Sequence, residues 1–202
     1  MKTILKTLYR HTMLKPSRYL PLRYFSLALL CFSLSLPAHS KWFKPSQWEG
    51  KVTRVSDGDT LWIETQISSS QNGMAKTKQT VTRKVRIEGI DAPEICQTYG
   101  KTSQAALQQK VFHKAVAVDT HSKDDYGRDI AKLKLNNEDI GAWMVSNGHA
   151  WSYHSRRNNG IYAKEEQTAQ SEKRGLFSNP NPTEPHQFRQ QRGSCFVKYK
   201  TK

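Results

Sequence analysis

The chain changes its hydrophobic period near its middle. Over residues 51–55 and 60–67 apolar and polar positions alternate about an Asp57-Gly58 pair, which puts Val52, Val55, Leu61 and Ile63 on one face of a β-hairpin. Residues 68–78 are polar and contain a glycine, the composition of an exposed loop, and the β-branched stretch 80–90 predicts a third strand. Helical spacing then takes over at 103–114, where Ala106, Leu107, Lys110, Val111 and Lys114 recur at intervals that give one oily side and one basic side. Two further strands follow at 115–120 and 129–135, joined by a turn at 124–128. Helices are predicted over 138–147 and 161–173, stopped at Gly148 and Gly175 by residues suited to left-handed backbone. From Asn179 onward Pro180, Pro182 and Pro185 stand among basic and amide residues, which predicts an extended strap rather than another domain.

The first forty residues stand apart from this pattern. An apolar run from Tyr24 to Leu36 follows Lys15, Arg18 and Arg23 and precedes Pro37-Ala38-His39-Ser40, as in a secretory leader cut after Ser40. Met13 is an alternative start, and an uncleaved N-terminal anchor is the competing reading of the run. The organisation expected is therefore a signal peptide at 1–40, one domain at 41–182 and a basic tail at 183–202, with the protein periplasmic or secreted.

Composition limits the partners. A chain of 202 residues with a formal charge of +15 has room for one domain with a core and attracts polyanions. The leader holds six basic residues and no acids, so the remainder still carries +9. Cys96 and Cys195 remain after cleavage, and two thiols in an exported protein favour one bridge over two free thiols. Their spacing is not that of a metal site.

Chemistry concentrates in three clusters: Asp57-Gly58-Asp59-Thr60, then the segment from Arg86 to Glu94 that contains Asp91-Ala92-Pro93, then Asp125-Tyr126-Gly127-Arg128. An Asp-Gly pair alone is most often a turn, and one glutamate alone is most often a solvated side chain. Together the clusters offer carboxylates for a hard cation, a spare carboxylate for a base, and two planar guanidinium groups for a phosphate. In order and spacing they resemble the staphylococcal nuclease (thermonuclease) family, over roughly residues 51–182.

That resemblance implies an α+β fold, an OB-type five-stranded β-barrel with three packed helices, and supplies the barrel closure that the order of elements leaves open. It implies calcium held by Asp59, Asp91 and the backbone carbonyl of Ala92, with Asp57 close by. Glu94 would be the general base, and Arg86 and Arg128 would hold the scissile phosphate. Tyr126 is the matching base-stacking residue, Tyr153 a looser candidate. Two positions depart from the family's type enzyme: Ala92 replaces a threonine, which leaves its carbonyl available, and Asp125 replaces a lysine. The stretch from Asp59 to Arg86 is also longer and the one after Glu94 shorter, so substrate length and strand preference do not carry over.

The expectation is an exported, calcium-dependent hydrolase of DNA and RNA phosphodiesters with little sequence specificity, a monomer with no stable protein partner. The alternative is a catalytically silent OB-type module that binds nucleic acid, and such modules usually lose the aspartates, the glutamate or the arginines kept here. A basic exported protein that merely adheres to envelope polyanions is a third reading.

Overall fold

A computed structural model describes residues 46–69, 77–155 and 158–195. The expected leader lies outside them.

Strands β1 (Ser46–Val55), β2 (Thr60–Ser69) and β3 (Thr77–Ile87) form an antiparallel meander. A two-residue strand β4 (Ile90–Asp91) and helix α1 (Gly100–Val111) come next, then β5 (Ala115–Lys123) and β6 (Asp129–Leu135). β5 pairs antiparallel with both β1 and β6. The sheet order is therefore β3-β2-β1-β5-β6, and β6 pairs in parallel with β3 through Val85–Asp129, Arg86–Ile130 and Ile87–Ala131, which closes the barrel. Register shifts in β1 after Val52 and in β5 after Thr120 supply local bends of the kind that closure needs. The chain is thus the closed five-stranded barrel of the OB-type α+β class.

β7 (Glu138–Asp139) folds back to pair antiparallel with the end of β6 and leads into α2 (Ile140–Ser146), whose first turn is capped by the Asp139 carboxylate accepting from Ala142 N. β8 (Trp151–Ser152) pairs with β4, and α3 (Ala163–Ser171) precedes a short 3-10 turn at Gly175–Ser178. Val52, Leu61, Ile63, Val85 and Leu133 fill the barrel with α1's Leu107 and Val111, all at 0% exposure, and Val55 is buried beside them. Trp151 packs edge-on to Phe177 in a second cluster with Ala169 and Leu176.

The C-terminal segment corrects the sequence reading. A fourth helix, α4 (Pro185–Arg192), forms where an extended strap is expected. Pro185 occupies the first helical turn, where its missing N–H breaks no hydrogen bond and its fixed φ favours the helix, so this proline starts a helix instead of preventing one. The bundle on the barrel has four α-helices among the described residues, not three.

Candidate active site

The β1–β2 turn, the end of β3 and the segment after β4 meet at one end of the barrel. Gly58 permits this: a Cβ there would collide with Ser103 Oγ of α1 and crowd the Ala92 methyl, so the Asp-Gly pair serves close approach as well as turning the chain. Gln104 of α1 donates to the carbonyls of Val55 and Ser56 at 3.2 and 2.9 Å and holds the same turn. Asp59 is thereby buried at 3% exposure, accepting from Thr60 Oγ1 at 2.8 Å and Ala92 N at 3.2 Å.

Arg86 ties the two candidate metal ligands together. Its Nη1 donates to Asp59 Oδ1 at 2.8 Å and its Nη2 to Asp91 Oδ1 at 2.9 Å. Burial works against the arginine's charge, yet the carboxylates of Asp59 and Asp91 outweigh it and hold its pKa above the ordinary value. Burial, reinforced by the Asp59 charge, pushes the Asp57 carboxyl up to about 7. Asp57, Asp59, Arg86, Ala92, Glu94, Tyr126 and Arg128 line one cleft of about 430 Å³.

Glu94 sits on a loop with a fixed backbone. Its N–H donates to Gln97 Oε1 at 3.1 Å and its carbonyl accepts from Gln97 N at 2.8 Å. Gly100, where a Cβ would strike the Glu94 carbonyl, lets α1 begin directly behind it. Arg128, in the same cleft, is aimed by Asp124, which accepts from Arg128 Nε at 2.7 Å, and by Thr60 Oγ1 at 3.3 Å. These two bonds use two of the guanidinium's five N–H groups and leave the others for a ligand. Tyr126 is 84% exposed, with the Arg128 guanidinium 5.4 Å from its ring centroid.

Two candidates lie elsewhere. Asp91 is buried behind the cleft and faces a neighbouring cavity of about 420 Å³, which Tyr153 also lines. Tyr153 follows the short strand β8 on that side and is absent from the wall that Tyr126 shares with Arg86 and Arg128. Cys96 and Cys195 are bridged, with their Cα atoms 5.7 Å apart.

Four participants have no motif to announce them. Asp124 aims Arg128, Gln97 fixes the Glu94 loop, Lys84 adds a cation to the cleft wall, and Arg189 of α4 donates to both Asp91 and Glu94. Asp124 precedes the Tyr-Gly-Arg cluster and was readable as an Asx turn residue. Arg189 becomes a neighbour only through tertiary docking of the tail.

The donors suit a hard cation, being oxygen only, with Asp59, Asp91 and Ala92 buried and with burial and the Asp59 charge disfavouring ionisation of Asp57 beside them. As arranged, however, no three carboxylate, imidazole or thiol groups among the described residues are gathered to hold a metal ion, and guanidinium groups bond both oxygens of Asp91.

The sequence model of the family described as staphylococcal nuclease homologue matches residues 84–179. An uncharacterized endonuclease of Haemophilus influenzae is 35% identical over 141 residues, which cover 70% of this chain and 72% of that protein. Protein ParB of Escherichia coli is 32% identical over 157 residues, 72% of this chain and 81% of its own length. A probable staphylococcal-like nuclease of Oryza sativa subsp. japonica is 35% identical over 106 residues, which are 52% of this chain and 29% of that longer protein. With the closed barrel and the three clusters in place, the chain belongs to the staphylococcal nuclease family.

Proposed function

We propose that this protein is an exported, calcium-dependent nuclease that hydrolyses DNA and RNA phosphodiesters with little sequence specificity. Membership in a nuclease family supports the hydrolase, and the observation that carries the reaction is the shared cleft, lined by Glu94, Arg86, Arg128 and Asp59 together.

Glu94 takes the proton of a water aligned with the phosphorus–oxygen bond that breaks. Arg86 and Arg128 direct their uncommitted N–H groups at the non-bridging oxygens, where charge gathers as the bond to the incoming oxygen forms. Their orientation is set beforehand by Asp59, Asp91 and Asp124, so little reorganisation accompanies the reaction. Asp59, Asp91 and the Ala92 carbonyl are the residues to hold calcium, which when bound supplies positive charge against the phosphate. Tyr126, exposed beside Arg128, offers its ring to an unpaired base and so favours single strands.

Purified protein is expected to shorten single-stranded DNA in calcium and to stop when the ion is chelated. Protein that retards DNA on a gel without shortening it under any divalent ion would support the silent binding module instead.

A further inference from the structure

Arg189 is bonded to two carboxylates of the site, and it comes from the tail. Its Nη2 donates to Asp91 Oδ2 at 2.9 Å, and its Nη1 to Glu94 Oε1 at 2.9 Å and Asp91 Oδ1 at 3.3 Å. With Arg86 already on Asp91 Oδ1, both oxygens of that carboxylate are engaged by guanidinium donors. The two arginines differ in how they are held. Arg86 projects from a central barrel strand between two buried aspartates, whereas Arg189 rides on an eight-residue surface helix in which only Pro185 is buried.

So little apolar contact does not hold α4 in place. Its docking rests on the Arg189 bonds, on His154 beside the N-cap Glu184 and the ring of His186, and on two tethers flanking the helix. Before it, Gln97 Nε2 donates to the carbonyl of Thr183 at 2.7 Å. After it, Cys195 is bridged to Cys96, two residues beyond Glu94. Both tethers lead back to the loop that carries Glu94, and a covalent link of this kind keeps the local concentration of Arg189 beside its carboxylates high.

We propose that Arg189 is the resident counter-ion of the acidic site and competes with the divalent cation for Asp91, with the Cys96–Cys195 bridge biasing the competition toward the arginine. The inference rests on reading Asp59 and Asp91 as the metal ligands. A carboxylate whose two oxygens accept from guanidinium groups offers a cation little until one of those groups leaves, and Arg189, with its side chain 34% exposed, is the one with a route to water. Cation binding therefore undocks α4, and the arginine sets how much ion is needed before Glu94 is released from its ion pair.

Calcium titration by calorimetry of the intact protein tests this without reference to activity. Arg189→Gln is expected to bind calcium about tenfold more tightly than wild type. The Cys96→Ser/Cys195→Ser pair should shift affinity in the same direction but less, and add little in the Arg189→Gln background. Equal or weaker binding by Arg189→Gln overturns the competition while leaving the metal reading intact. No calcium binding by either protein removes both, and loss of binding in Asp59→Asn locates the ion. Amide exchange on wild-type protein needs no variant: calcium should speed exchange in residues 185–192, and slower exchange there refutes the proposal.

Discussion

Asp124 grips Arg128 twice, through its backbone and through its side chain. Asp124 Oδ1 accepts from Arg128 N at 2.9 Å while Oδ2 accepts from Arg128 Nε at 2.7 Å. Burial raises the carboxyl's pKa, but the bonds and charge of Arg128 more than offset it and hold the group below the usual carboxylate range. One aspartate thus shapes the turn and points the guanidinium, making it a positioning residue.

Replacing it should therefore act on turnover in two grades. Asp124→Asn keeps an oxygen for the backbone N–H groups of Tyr126 and Arg128 but loses the charged partner of Nε, and Asp124→Ala loses both. We expect kcat to fall about 10- to 100-fold in the alanine variant, since small misplacements of a catalytic group have effects of that size. The asparagine variant should recover part of it, with KM little changed in either. Equal kcat in all three proteins would dismiss the positioning role.

The bridge between Cys96 and Cys195 spans 99 residues of sequence, and closing a loop of that length stabilises a fold by up to about 4.7 kcal/mol on a chain-entropy account. Because α4 buries only Pro185, native strain has little to act on, and most of this effect is expected in the unfolded chain. The Cys96→Ser/Cys195→Ser variant should lose about 2 to 4 kcal/mol in urea titrations. A midpoint unchanged from wild type would show that the link contributes nothing to folding.

Much of this arrangement is legible in the sequence, for reasons that differ by residue. Val52, Leu61 and Ile63 declare themselves by alternation, since a half-buried strand must repeat every two residues. The three clusters are readable because the chemistry demands carboxylates and arginines close together in short motifs. Barrel closure through Val85 and Asp129 is not, since parallel pairing between strands 44 residues apart leaves no local trace and had to come from the resemblance. Tyr153 lines the cavity beside Asp91 and not the cleft that Tyr126 lines, a placement that a loose match to the motif does not specify. Arg189 was invisible for a related reason: its role depends on a helix that begins at a proline and on a bridge made 99 residues from its partner.

Asp57 gives the site a pH signature. Burial and the neighbouring Asp59 raise it from 3.8 to about 7, so the folded protein binds this proton more tightly than the unfolded chain does. The stability it contributes is complete below about pH 3.8 and is lost progressively as pH climbs through about 7. Asp57→Asn keeps an oxygen for Asp59 N, which donates to Asp57 Oδ1 at 3.1 Å. In metal-free buffer the variant should match wild type near about pH 4 and exceed it near about pH 8 by on the order of 2 kcal/mol. A difference between the two proteins that stays constant over this range would contradict the assignment.

Glu94 is the sharpest test of the chemistry, because its surroundings survive a change of one atom. Its backbone is fixed by Gln97 and Gly100, not by its own carboxylate, and a glutamine Oε1 can still accept from Arg189 Nη1. Glu94→Gln should therefore keep the melting temperature and bind single-stranded DNA within a few-fold of wild type. What it loses is a proton acceptor, worth about 10²- to 10⁴-fold in kcat. Arg128→Ala should lose about 10²- to 10³-fold in kcat and regain part of it with added guanidinium ion, which cannot rescue Glu94→Gln, since the arginine stabilises charge and takes no proton. The two variants thus separate the base from the electrophile, and a glutamine variant that turns over at nearly the wild-type rate would move proton abstraction to another residue.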